Sequence, residues 1–460
     1  MRDSTQVLVI GGGPAGSTAA TLLAREGFDV TLAEREQFPR YHIGESILPS
    51  CLPILDLLGV RERVERHGFQ RKGGAYFAWG GQEWSLAFSD ITREQTFAWQ
   101  VVRSEFDQIL LDHARETGAK VHERTAINEI EFSAGRAVAA RWSPAGNSGD
   151  GGRISFDYLV DASGRSGVLS ARQLRNRRVH DMFRNVACWT YWKGAATLEK
   201  GPEGAIAVCS VPQGWFWAIP LHDGTTSVGL VTSKELFNRQ RAELGSVEAV
   251  YHAAMADCPT VLELLADAQP AAGVKVEQDY SYVCGEFAGP GYLLSGDAAC
   301  FLDPLLSTGV HLASYSAVLA AASIASMLRG EVPEGDALDF YRSTYRRAYE
   351  RMLVLVSVFY ESYHGKDYHF YHAQRLTHRE QERLHLHDAF LNIVSGMEDL
   401  DDAGDAALAK IKSKLTGAES GNSNPLANVM HAPGQVPLSA ANSINGLYLS
   451  TQPRFGLSRA

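Results

Sequence analysis

Residues 6–10 read as a strand, apolar without a break from Val7 to Ile10, residues 13–26 carry small and apolar side chains at helical spacing until Gly27 breaks them, and residues 28–33, with Phe28, Val30, Leu32 and Ala33, read as the next strand. A short run without polar alternation suits a strand buried on both faces, so the pattern predicts a strand–helix–strand unit of a parallel sheet. Residues 103–117 predict a helix and 121–132 a strand. A polar Gly/Ser/Asn hairpin around 145–152 leads to a strand over 154–161. From about residue 185 the period changes. Alternating positions rich in aromatics at 186–192, 205–211, 215–221 and 226–231 predict a second, mainly antiparallel layer reaching residue 282. Residues 291–297 read as a return to the first sheet, followed by a long small-residue helix. Beyond 332 the chain reads as helical and rich in Tyr, His and Arg. Roughly the last 45 residues, rich in Gly, Ser, Asn and Pro, read as loops.

The expected fold class is therefore α/β: a Rossmann-like nucleotide-binding domain interleaved with a mainly antiparallel β-sheet substrate domain, plus a helical C-terminal region. The expected boundaries are 1–184 for the first domain, with substrate-domain segments interleaved near 70–102. The sheet domain takes 185–285, the return 286–331, and the helical region with its tail 332–460.

Composition narrows the function classes. A hydrophobic share of 45% with 21% charged residues is that of a globular chain, and a formal charge of −10 without a basic run argues against a nucleic-acid partner. Six cysteines with no Cys-x-x-Cys pair indicate reduced thiols and no metal site. A strand within the first ten residues leaves no room there for a basic-then-apolar leader, so a cytoplasmic location is expected. Residues 310–328 and 352–360 read as buried helices, not membrane spans. The histidines at 364, 369, 372, 378, 385 and 387 read as a polar helical surface.

Gly11-Gly12-Gly13-Pro14-Ala15-Gly16 stands between the first strand and helix. Its glycines permit a tight turn, and the helix N-terminus receives a pyrophosphate. Glu34, ending the second strand, is placed to accept from a ribose diol. Farther on, Leu293 to Ala299, with Gly296 and Asp297, sets a carboxylate at a strand end, and Asp161-Ala162-Ser163-Gly164 is a similar turn. Together with Arg103 in the stretch from Gln100 to Asp107, these segments resemble p-hydroxybenzoate hydroxylase-type flavoproteins over roughly residues 5–330. The resemblance implies FAD and not NAD.

Three more segments resemble the flavin-dependent halogenases of that superfamily. Gly214-Trp215-Phe216-Trp217-Ala218-Ile219-Pro220 is similar to the family's W-x-W-x-I-P, and alternate strand positions put Trp215 and Trp217 on one face. The family places this tunnel wall, here Trp215, Trp217, Ile219 and Pro220, between flavin and substrate. Lys72, among glycines and aromatics, corresponds to the lysine that hydrogen-bonds hypohalous acid or forms a haloamine. Phe301 to Val310 resembles F-x-x-P-x-x-S-x-G; Pro304 and Ser307 then belong to the turn beside the flavin, and Thr308 and Gly309 to the halide site.

One position departs from the tryptophan halogenases: Leu306 stands where they carry a glutamate that assists at the substrate ring. Tyr41 to Ser46, Asp279 to Tyr282 and the aromatic stretch 358–371 look closer to halogenases of antibiotic assembly lines. The resemblance implies FADH2 from a separate flavin reductase, O2, a chloride or bromide ion, and a phenolic, tyrosyl or pyrrolyl substrate, free or tethered to an acyl or peptidyl carrier protein. An NAD(P)H-dependent aromatic hydroxylase is the alternative. A reductase of isoprenoid chains and a flavin-binding sensor are more remote ones.

Overall fold

The computed structural model describes residues 1–90, 97–146, 151–361 and 439–460. The chain opens with β1 (Ser4–Ile10), α1 (Pro14–Arg25) and β2 (Val30–Ala33), then α2 (Leu52–Leu58) and α3 (Arg61–His67). Four short strands follow, β3 (Gln70–Lys72), β4 (Gly74–Trp79), β5 (Gln82–Ala87) and β6 (Ala98–Gln100), before α4 (Arg103–Glu116). Next come β7 (Lys120–His122), β8 (Thr125–Ser133), β9 (Arg136–Pro144) and β10 (Gly152–Asp161). The second half begins with β11 (Arg177–Lys193), β12 (Ile206–Val211), β13 (Gly214–Pro220) and β14 (Thr225–Ser233). Helices α5 (Lys234–Leu244), α6 (Val247–Met255) and α7 (Pro259–Leu264) lead to β15 (Gln269–Pro270), β16 (Lys275–Cys284), β17 (Ala288–Gly289), β18 (Tyr292–Leu294) and β19 (Cys300–Phe301). The last elements are α8 (Gly309–Leu328), α9 (Glu334–Glu361), β20 (Leu447–Ser450) and β21 (Gly456–Arg459).

One sheet has the path β17-β18-β10-β1-β2-β7, parallel from β18 to β7, with β8 and β9 attached through β10. The other runs β19-β16-β11-β14-β13-β12-β4-β5 and is antiparallel except where β4 lies parallel to β12. Thus β4 and β5, early in sequence, complete the later sheet, while β17 and β18 return to the first one. The hairpin partners β3 and β6 bracket this excursion, with Lys72 opposite Ala98. Helix α8 packs on α1 and α9. It is apolar and long enough to cross a membrane, yet 94% of its most apolar stretch is buried inside the protein.

Three expectations from the pattern need correction. The strand over 121–132 is two strands, because Arg124 takes a left-handed φ of 50° and turns the chain from the parallel β7 into the antiparallel β8. The β region is interrupted by α5, α6 and α7. The starts of α5 and α6 are marked by Ser233 and Ser246, whose side chains accept from the amides of Leu236 and Ala249. The tail is not wholly loop: β20 and β21 form a hairpin whose Leu447, Leu449 and Leu457 are buried. It is tied to α8 by Leu457 N donating to Ser326 Oγ at 2.8 Å. The histidines from 364 to 387, and the aromatic stretch past residue 361, lie outside the described residues.

Candidate active site

The β1–α1 turn is closed so tightly that only glycine fits. A Cβ on Gly16 would lie 1.8 Å from the Gly11 carbonyl oxygen, and one on Gly11, at φ +100°, would lie 2.3 Å from the Ala162 oxygen. The N-terminus of α1 is thereby held open toward a cavity of about 390 Å³, lined by Gly11, Gly13, Pro14 and Ala15 at one end and by Trp215, Trp217, Ile219 and Gly309 at the other. Glu34 accepts from the amides of Gly12 at 2.6 Å and Glu36 at 2.7 Å. Each of its oxygens keeps a lone pair for a ligand hydroxyl. Asp161, in contrast, is consumed by its own turn, accepting from the amides of Ser163 and Leu169.

Arg103 lines the cavity but its donors are largely engaged within the protein. Its Nε and Nη2 meet Asp107 at 2.8 and 3.0 Å, and Nη1 donates to the carbonyls of Ile43 at 3.0 Å and Gly44 at 3.2 Å. Arg40 adds a second cation 3.3 Å from Asp107. Burial pushes the Asp107 carboxyl up, but the two guanidiniums outweigh it and hold the group below the usual carboxylate range. Asp297 also lines the cavity, after Gly296 at φ +61°. Burial raises its carboxyl, against the pull of Arg165, Arg103 and Arg177.

On β13 the alternation places Trp215 and Trp217 together, ring centroids 6.1 Å apart, while Phe216 turns to the other face against Tyr251. Trp215 Nε1 donates to Tyr360 at 2.8 Å and Trp217 Nε1 to Ser227 at 3.2 Å, so both rings are fixed. Gly229 faces Trp217 across the strands, and a Cβ there would lie 2.1 Å from the indole. The Trp wall needs that glycine.

The turn before α8 is built by Asp303, which accepts from Leu305 N at 3.1 Å, and by Ser307 in the left-handed region at φ 57°. Thr308 is buried, and among the described residues its Oγ1 has no hydrogen-bond partner. No Cβ clash and no positive φ reserve position 309 for glycine. A side chain there would project from the start of α8 into the cavity, without forcing a new backbone path.

Lys72 is 2% exposed and lies beyond this turn. A second small chamber, lined by Lys72, Leu48, Phe77, Phe88, Leu305 and Leu306, shares Ser307 and Ile206 with the large cavity. Nζ donates to the Ile47 carbonyl at 3.2 Å and stands 5.4 Å from the Phe88 ring centroid. Burial lowers its ammonium to about 7, only partly opposed by Cys51. An unfolded lysine stays protonated to about pH 10.4, so between those values the unfolded chain holds more protons and stability rises with pH. Lys72→Met should accordingly raise the melting temperature more at about pH 6 than at about pH 9.5, where the amine is already neutral. Equal shifts at both pH values would contradict a buried, titrating amine.

The comparisons agree with this geometry. Residues 6–96 and 87–400 match the family model described as tryptophan halogenase. The tryptophan 2-halogenase of Chondromyces crocatus is 44% identical over 99% of this chain and 94% of its own length. The chain belongs to the tryptophan halogenase family. A sulochrin halogenase of Aspergillus terreus is 40% identical, over 77% of this chain and 69% of its own length. Among solved structures, the myxobacterial chondrochloren halogenase superposes with a TM-score of 0.76 at 33% identity, covering 92% of this chain and 99% of that one. This halogenase is thus an FAD-dependent enzyme that also uses halide and O2, and the cradle at Gly11, Gly16 and Glu34 suits the dinucleotide.

Sequence reasoning named the halogenase motifs but not the side chains that brace them. Asp303 accepts from Asn185 at 2.9 Å and Tyr360 at 3.1 Å, joining the turn to Trp215 through one buried phenol. Burial raises the Asp303 carboxyl to about 6. Glu45 was visible only as part of a resemblance, and Asp107 only as the end of a stretch. For Asp107 the signal was its i, i+4 spacing from Arg103 on a helix. Among the described residues, His67, Glu105 and His222 gather away from the cysteines, with Glu105 Oε2 2.7 Å from His67 Nε2 and 3.1 Å from His222 Nε2.

Proposed function

We propose that this halogenase chlorinates an electron-rich aromatic ring, phenolic, tyrosyl or pyrrolyl, with FAD reduced by a separate flavin reductase. The observation that carries this reading is the pair of chambers back to back across one turn, with Ser307 and Ile206 in both walls and Lys72 in the farther one. Bound reduced FAD supplies the electrons with which O2 turns halide into hypohalous acid. The chain contributes the rest. The amides of Thr308 and Gly309 at the start of α8, with the unpartnered Thr308 hydroxyl, hold the halide. Trp215 and Trp217 keep the organic substrate from the flavin, so that only a small oxidant passes. Lys72 receives it by hydrogen bond or as a haloamine.

Leu306 supports the choice of substrate class. It lines the Lys72 chamber with other apolar side chains, and among the described residues no carboxylate lines that chamber to assist a less reactive ring. A phenol or pyrrole needs no such help. A carrier-tethered substrate fits the same chemistry. The six cysteines are free and buried, which suits a cytoplasmic enzyme. A second reading, a free indole, is favoured by the name of the Chondromyces crocatus relative.

The test is mass spectrometry of products from the holoenzyme, a flavin reductase, NADH, O2 and chloride, with phenolic and pyrrolyl acids offered free and carrier-bound beside tryptophan. Chlorinated phenol or pyrrole is the expected product, and NADPH without the reductase should give little turnover. Chlorinated tryptophan alone would move the assignment to the second reading. Hydroxylation independent of chloride, driven by NADPH alone, would overturn both.

A further inference from the structure

We infer that Tyr41, Tyr191 and Glu45 form a proton relay that leads from solvent into the flavin cavity and supplies the proton consumed when halide is oxidised. The inference rests on the halogenase reading. The balanced reaction is FADH2 + O2 + Cl− + H+ → FAD + HOCl + H2O: two electrons from the flavin and two from chloride reduce both oxygen atoms, and one solvent proton enters per turnover. Transfer of the halogen, ArH + HOCl → ArCl + H2O, returns no proton. The proton must therefore reach the inner part of the cavity with the chloride, where Trp215, Trp217 and Thr308 are buried, from the mouth where the exposed Tyr41 stands.

The structure offers one continuous path. Tyr41 is 47% exposed, and its hydroxyl lies 3.0 Å from that of Tyr191, which donates to Glu45 Oε1 at 2.6 Å. Trp189 Nε1, which can only donate, reaches Tyr41 at 2.6 Å. Tyr191 has committed its proton to Glu45, so Tyr41 must donate to Tyr191. Every bond in the chain then points inward, the order a hop toward Glu45 requires. Glu45 is buried and lines the flavin cavity; among the described residues its Oε2 has no partner within 3.5 Å, with the Ser227 hydroxyl nearby. A carboxyl fed from one side and open on the other is built to pass a proton on.

The path is held in place by neighbouring groups. Arg103 grips the carbonyls of Ile43 and Gly44, and Val101 N donates to the Glu45 carbonyl at 2.7 Å. Burial raises the Glu45 carboxyl to about 7; the Tyr191 and nearby Ser227 hydroxyls and Arg103 pull it down, and Asp223 adds to the rise. Such a group both takes and gives a proton near neutrality. Burial also raises both phenols, Tyr41 to about 12, so they relay without ionising. Outside, Lys275 stands 3.4 Å from the Tyr41 ring centroid, and Glu277 is the nearby acid.

Two measurements on the FAD-loaded enzyme test this. Infrared titration of the oxidised holoenzyme should show a protonated-carboxyl band that is lost near neutral pH, is absent in Glu45→Gln, and moves to higher pH in Tyr191→Phe, where a donated hydrogen bond is gone. In weakly buffered solution with an indicator dye, reoxidation of the reduced enzyme should take up one more proton with chloride than without. Tyr191→Phe should slow that uptake by roughly tenfold or more, and Tyr41→Phe by less, because water can replace an outer hydroxyl. FAD affinity should stay within about twofold in both. Uptake at the wild-type rate in Tyr191→Phe, or no Glu45-dependent band titrating near neutral pH, overturns the relay alone. No chloride-dependent uptake in the wild type overturns the relay and the halogenase reading together.

Discussion

Replacing Lys72 with alanine should abolish halogenated product while leaving FAD binding and flavin reoxidation nearly intact. The amine lies in the small chamber beyond the Ser307 turn, away from Gly11, Glu34 and Asp297, so its loss removes nothing from the cofactor cradle. Among the described residues it is the only ionisable side chain on that chamber's wall. An interaction made mainly in the transition state lowers turnover without a comparable loss of binding, and a hundredfold fall corresponds to about 2.7 kcal/mol. Stopped-flow reoxidation and product mass spectrometry on the same preparation separate the two effects. Lys72→Ala that still halogenates at near the wild-type rate, with full FAD occupancy, would remove this lysine from the chemistry.

The largest stability effect is expected at Asp107. Its carboxylate is fully buried between Arg103 and Arg40, so alanine there strands two cations in the interior. Breaking a buried pair in this way costs about 3–5 kcal/mol, whereas swapping the whole pair for apolar groups is often neutral. Asp107→Ala should therefore unfold at markedly lower denaturant, and loosening of Arg103 should release residues 43–46 and weaken FAD binding. The sign with pH follows from the depressed carboxyl: its contribution is complete above the ordinary carboxylate range and is lost as pH falls through the folded value. The gap between wild type and Asp107→Ala should narrow in acid. A denaturation midpoint within error of wild type at neutral pH would show the pair to be dispensable.

Most of the fold was legible because its signals are local. The Gly11 to Gly16 turn, the small-residue α8 and the Trp215/Trp217 alternation each need only neighbouring residues to be read, and each forms where the pattern puts it. The splitting of the 121–132 strand was hidden because a single left-handed residue, Arg124, carries no glycine to mark it. The three helices after β14 are 11, 9 and 6 residues long, too short for a helical period to stand out from the strands around them. The serine caps of α5 and α6 were the better sign. The tail hairpin escaped because its turn-rich composition outweighed four residues of strand on each side, and its stability comes from docking on α8.

The sequence by itself determined the chemistry available: a dinucleotide turn, a carboxylate at the second strand's end, a paired indole wall, a lysine in an aromatic segment and a turn opening a helix. Those features are fixed by residue type and by spacings short enough for the backbone to enforce. Only the tertiary structure decided which of them meet. The 230 residues between Lys72 and Asp303 say nothing about distance. It takes β4 pairing with β12 and the return of the chain through β19 to bring Lys72 behind the Ser307 turn. Tyr41, Glu45, Trp189 and Tyr191 likewise come from two separate stretches and become a single hydrogen-bonded chain only where the 41–46 segment crosses β11. Burial then sets the proton affinities of Lys72 and Glu45 near neutrality, a property that no residue carries until the surrounding sheet excludes water.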